Sequence, residues 1–119
     1  MVKDYFDNQH PLPITLIARQ IIPPINRLIS VFRQNGWPVI FSTDAFDRQD
    51  FFFTGKMTPH SISGTKGAEI IDELDRKKED LWLPKLRFSA FFKTGLDRWL
   101  REKNIILCAV AVLLPIFAC

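Results

Sequence analysis

The stretch Pro23–Asp44, PPINRLISVFRQNGWPVIFSTD, decides the reading of this chain. Pro23 and Pro24 suit the first turn of a helix, where a missing N–H costs no hydrogen bond. Ile25, Leu28, Ile29 and Phe32 follow at i, i+3, i+4 and i+7, the spacing of one apolar helix face. Gly36 is a good stop for that helix. Trp37 and Pro38 lead straight into Val39, Ile40 and Phe41, a run without polar alternation. Such a run predicts a strand buried on both faces of a parallel sheet.

Working outward, the same alternation recurs. Met1–Pro13 reads as a loop, and the apolar run Ile14–Ile22 carries the chain to the helix. Ser42–Gly67 has no clean period, and a loop of that length in a compact domain is usually functional. Ala68–Leu74 reads as a short acidic helix with Ile70, Ile71 and Leu74 inward, and Asp75–Asp80 as a solvated surface turn. Leu81–Leu83 predicts a second buried strand ending at Pro84. Thr94 and Asp97 form a capping-box-like pair for a helix that ends at Lys103 and Asn104. Ile105–Val112 predicts a third buried strand. Helix and strand in alternation give an α/β class, a Rossmann-like open parallel sheet with helices on both faces.

The 119 residues suit one domain, residues 1–119. At 47% hydrophobic and 24% charged residues, the composition is that of a globular chain. The net charge of +3 comes from scattered Lys and Arg and makes no basic stripe, so nucleic acid is not an expected partner. Cys108 and Cys119, with no secretory leader before them, point to reduced thiols and a cytoplasmic setting. The fifteen uncharged residues Ile105–Cys119 fall short of the roughly twenty that a membrane span needs.

Ligands of such sheets bind beyond the carboxyl ends of the strands. Ser42–Asp44, Pro84–Lys85 and the segment up to Cys119 all lie there, so an acid, an amine and a thiol can converge. That set fits nucleophilic catalysis by a cysteine whose thiolate is favoured by a nearby cation. The alternative is a plain structural thiol, since free cysteines are commonly buried.

Five stretches in order resemble the isochorismatase-like cysteine hydrolases, the superfamily that includes nicotinamidases. They are MVKDYF (1–6), PPINRLISVFRQNG (23–36), PVIFSTD (38–44), GKMTPHSISGTKGAEIIDEL (55–74) and PKLRFSAFFKTGLD (84–97). The resemblance implies an Asp–Lys–Cys site that acts on a small amide or related substrate through a Cys-acyl intermediate. It assigns Lys85 as the catalytic lysine and Cys119 as the nucleophile, with Cys108 in the core of the third strand. The family's catalytic Asp would lie before Met1, so it is expected to be absent, together with the central first strand that carries it. Asp4 matches a second acidic position and is not the base.

Asp44, Phe51 and Phe88 are the expected substrate contacts. Asp44 and His60 match two positions of the nicotinamidase metal site, but Phe46 fills another, so neither a metal nor a cofactor is expected. His60 is read as organising the Pro59–Gly64 loop. The resemblance also implies that the C-terminal strands are missing, leaving an incomplete sheet and a fragment of the domain. Two functions follow: a cysteine hydrolase impaired by the missing Asp, or a non-catalytic remnant that associates with an intact homologue. The expected partners are a small-molecule substrate and no membrane, with a homo-oligomer left open.

Overall fold

The structure, a computed structural model, describes residues 1–9, 13–55 and 59–112. Two strands, β1 (Ile40–Asp44) and β2 (Leu81–Lys85), pair in parallel with Ile40 opposite Leu81 and Asp44 opposite Lys85. That register sets the acid and the amine side by side at the carboxyl ends of both strands. Two α-helices accompany them: α1 (Thr15–Gln34) and α2 (Leu96–Glu102). The α/β class read from the sequence is what the chain adopts.

Helix α1 starts eight residues before the predicted first turn, and Pro23 and Pro24 lie inside it. Thr15, Ala18, Ile22 and Ile29 make one buried stripe, so packing carries the helix through the prolines, which sit on its exposed side. The stripe meets Phe6, Phe41, Ile70, Ile71 and Leu74 in a single core cluster. Gly36, at φ +69°, ends the helix as expected. Its N–H bonds to Arg33 O at 3.0 Å and that of Trp37 to Phe32 O at 2.9 Å, while the Phe32 and Trp37 rings meet edge-on. A proline inside a helix forfeits a backbone hydrogen bond and crowds the preceding turn. Pro24→Ala is therefore expected to raise stability by about 1 to 2 kcal/mol, net of the entropy that alanine returns to the unfolded chain. A higher urea midpoint for the variant is the measurement.

Three other expectations fail for physical reasons. Ala68–Leu74 forms no α-helix: a 3-10 turn covers Lys66–Ala68, and Ile70 then bridges Val2 in antiparallel fashion. Lys3 N donates to Glu69 O at 2.9 Å, so the backbone that a helix would need is committed to the N-terminal segment. Residues 3–6 are themselves a 3-10 turn within the predicted loop.

Asp75–Asp80 is more than a solvated turn. Arg33 of α1 donates to Asp75 Oδ2 at 2.7 Å and to Asp75 O at 2.6 Å, and it also holds the buried Asp80 carboxylate. Asn26 clasps the same loop, donating to Glu73 O at 2.8 Å and accepting from Asp75 N at 2.9 Å.

Ile105–Val112 has no strand partner among the described residues and is largely exposed, Cys108 included. The sequence pattern there is strand-like, but a strand exists only when its backbone is paired.

Smaller shifts follow the same logic. β2 runs through Pro84 to Lys85, and neither strand is buried on both faces: Trp82 and Pro84 are exposed. Gly95, at φ +75°, takes the N-cap position of α2. Thr94 Oγ1 accepts only a long 3.4 Å bond from Leu96 N, and Asp97 pairs with Arg101 instead of completing a box. Asn104, at φ +55°, closes the helix where the sequence places its end.

Candidate active site

Lys85 is the last residue of β2 and is buried, an unusual place for an ammonium group. Its Nζ is paired with Asp44 Oδ1 across the strand register and donates to Arg87 O at 3.2 Å. The other carboxylate oxygen, Asp44 Oδ2, accepts from the Tyr5 hydroxyl at 3.1 Å. That hydroxyl lies 3.4 Å from His60 Nε2. Lys85, Asp44, Tyr5 and His60 thus form one polar chain over the strand ends. Burial first, and then the Asp44 charge, push the Tyr5 phenol far above its ordinary value. Tyr5 therefore stays protonated and remains a donor to Asp44.

An aromatic wall flanks this chain. The His60 ring lies edge-on to Tyr5 at 5.6 Å and to Phe46 and Phe53 at 5.9 Å each. Phe46 in turn meets Phe53 at 5.9 Å and Phe88 at 6.4 Å. The loop that carries His60 is tied to the strand end by a parallel bridge from Phe46 to Ile62. Ser61 N also donates to Asp4 Oδ2 at 2.5 Å, which locks the loop to the N-terminal turn. His60 does more than organise its own loop, because its ring belongs to the site.

Of the residues named from the sequence, Lys85 and Asp44 are in direct contact, and Phe88 joins the aromatic wall through Phe46. Phe51 is mostly exposed, with the Arg87 guanidinium 5.4 Å over its ring. Arg87 also pairs with the buried Asp50 carboxylate. Cys119 lies outside the described residues. Tyr5, Phe46 and Phe53 complete the site, and Tyr5 was hidden because its partners stand 39 and 55 residues away in sequence.

No group of three His, Cys, Asp or Glu side chains gathers among the described residues. Asp44 and His60 converge, but the Tyr5 hydroxyl stands between the two donor atoms. One carboxylate and one imidazole bridged by a phenol do not fit a metal ion.

A family model of the isochorismatase domain matches residues 3–111. The chain belongs to the isochorismatase family. Among similar proteins is one of Arabidopsis thaliana called "Probable inactive nicotinamidase At3g16190", 32% identical over 79% of this chain and 53% of its own. A ureidoacrylate amidohydrolase, RutB of Serratia proteamaculans, is 31% identical over 71% of this chain and 42% of its own. Among solved structures, N-carbamoylsarcosine amidase of Thermoplasma acidophilum superposes with TM-score 0.76 at 30% identity, covering 88% of this chain and 58% of that one. This isochorismatase-family chain spans about half the length of the curated relatives it matches.

Proposed function

We propose that the chain carries the site of a cysteine hydrolase for a small amide or related carbonyl substrate, with its reactivity reduced. The buried Lys85–Asp44 pair is the observation that carries this reading. A cation buried at a strand end favours a nearby thiolate, the form of cysteine that attacks a carbonyl carbon. Cys119 supplies the thiol, and Asp44, Phe51 and Phe88 contact the substrate. The thiolate would displace an amine to leave a thioester, which water then cleaves. Asp44 already neutralises Lys85, and a neutral pair attracts a thiolate far less than a free ammonium does. That pairing is the physical ground for reduced reactivity. Similarity to two amide-cleaving relatives supports the reaction class.

Incubation with a panel of small amides is expected to give a slow acyl adduct on Cys119, read by intact-protein and peptide mass spectrometry. Cys119→Ser removes the adduct, and Lys85→Met slows its formation roughly tenfold or more. Absence of any adduct from a folded chain with Lys85 intact would sink the catalytic reading.

The second reading, a non-catalytic chain that acts by association with a homologue, is favoured by one observation. Ile106, Leu107 and Val110 are exposed to solvent on an extended segment.

A further inference from the structure

The edge of β1 that faces away from β2 is open among the described residues. Leu81 N bonds to Val39 O at 3.1 Å, and Ala45 N to Lys85 O at 2.9 Å. Odd-numbered residues of β1 therefore face β2, and the N–H and C=O groups of Ile40, Ser42 and Asp44 point to the other side. A groove of about 740 Å³, measured out to its open mouth, runs along this edge. Ile29 and Phe32 of α1, Met1, the β1 edge, and Ala109 and Ala111 line it; among the described residues no charged side chain does, and the one charged group is the Met1 ammonium. Ser42 Oγ is buried there with no hydrogen-bond partner.

The same chain holds a segment of matching chemistry. Ile105–Val112 is uncharged and rich in β-branched residues. Ile106 is 99% exposed, Leu107 87% and Val110 70%. A strand edge without a partner and a strand-like segment without a partner are a matched pair of liabilities.

We propose that two copies of the chain exchange these segments. Ile105–Val112 of each copy enters the groove of the other and pairs with the open edge of β1. The groove lies between β1 and the chain's own Ala109 and Ala111. Reciprocal insertion therefore gives the strand order β2, β1, exchanged segment, own segment, then β1 and β2 of the second copy. A two-fold axis passes between the two central segments, which run antiparallel, and the interface closes on itself. Fully burying a Val, Leu or Ile side chain removes on the order of 100 Å² from water, so two segments and the groove walls they cover hide on the order of 1,500 Å². That is the area of a specific dimer.

Sedimentation velocity of the 119-residue chain across the micromolar range tests this. A discrete dimer is expected to grow with concentration. Leu107→Lys and Val110→Lys each place an ammonium on a side chain that is exposed in the single copy. They should leave its circular dichroism and urea midpoint unchanged while weakening association by roughly tenfold or more. A wild-type chain that stays monomeric throughout overturns the proposal. So do open-ended oligomers in place of a dimer, or an association that neither lysine weakens.

Discussion

Asp44→Ala is expected to lower stability by about 3 to 5 kcal/mol, the cost of leaving a buried charge without its counter-ion. Lys85 is 8% exposed, and without Asp44 its ammonium keeps, among the described residues, the Arg87 carbonyl at 3.2 Å. The Tyr5 hydroxyl loses the Asp44 carboxylate as acceptor in the same step. For a domain of ordinary marginal stability, a loss of that size is close to unfolding. The reverse truncation is milder. Lys85→Met leaves a more exposed carboxylate that still accepts from Tyr5, so its cost should be about half as large. Removing both charges, with Asp44→Leu beside Lys85→Met, should recover most of the loss, since an apolar pair replaces an ion pair at little cost. Urea midpoints of the four proteins give the coupling directly. If Asp44→Ala costs less than about 1 kcal/mol, the pair contributes no more than an exposed one.

Gly67→Ala ranks next. A Cβ at Gly67 would overlap the Asp4 carboxylate, which is fixed by its bond from Ser61 N. Either that bond breaks or the backbone retreats, and overpacking of this kind costs about 2 to 3 kcal/mol. The Asp4→Ala background separates the two effects. There the added methyl has space, and Gly67→Ala should then be neutral within about 0.5 kcal/mol. Equal losses in both backgrounds would mean that the carboxylate is not the obstacle. The test also reports on the site, because the Asp4 bond seats the loop that carries His60.

Both strands and the position of Lys85 at the end of one of them were legible because each depends on local sequence. An apolar run bounded by Pro38 and Asp44, or by Asp80 and Pro84, reads as a short strand without knowledge of its partner. The start of α1 was not legible. Pro23 and Pro24 are a strong local signal for a first turn, and only the long-range packing of Thr15, Ala18 and Ile22 overrides it. Ala68–Leu74 misleads in a similar way: its apolar spacing is helical, yet Val2 and Lys3 take up its backbone. In Ile105–Val112 the composition is right for a strand, but composition cannot supply a neighbour. Lys85 and Asp44 could be placed near each other from strand ends alone, and Phe88 follows Lys85 in sequence. Tyr5 could not be placed, since nothing near it predicts a bond to Asp44 or a contact with His60.

The stitching of Val2–Tyr5 has a further consequence, for the order in which the chain settles. Val2 bridges Ile70, Lys3 reaches Glu69, Asp4 holds Ser61, and Tyr5 meets Asp44 and His60. Each contact closes a loop of about 40 to 70 residues, so its entropy must be met before any of these bonds forms. During synthesis the 2–6 segment must wait until residues near 70 have left the ribosome. α1 can form from its own hydrogen bonds long before that. The strand ends and their polar chain are therefore assembled late, when Tyr5 closes over a scaffold already in place.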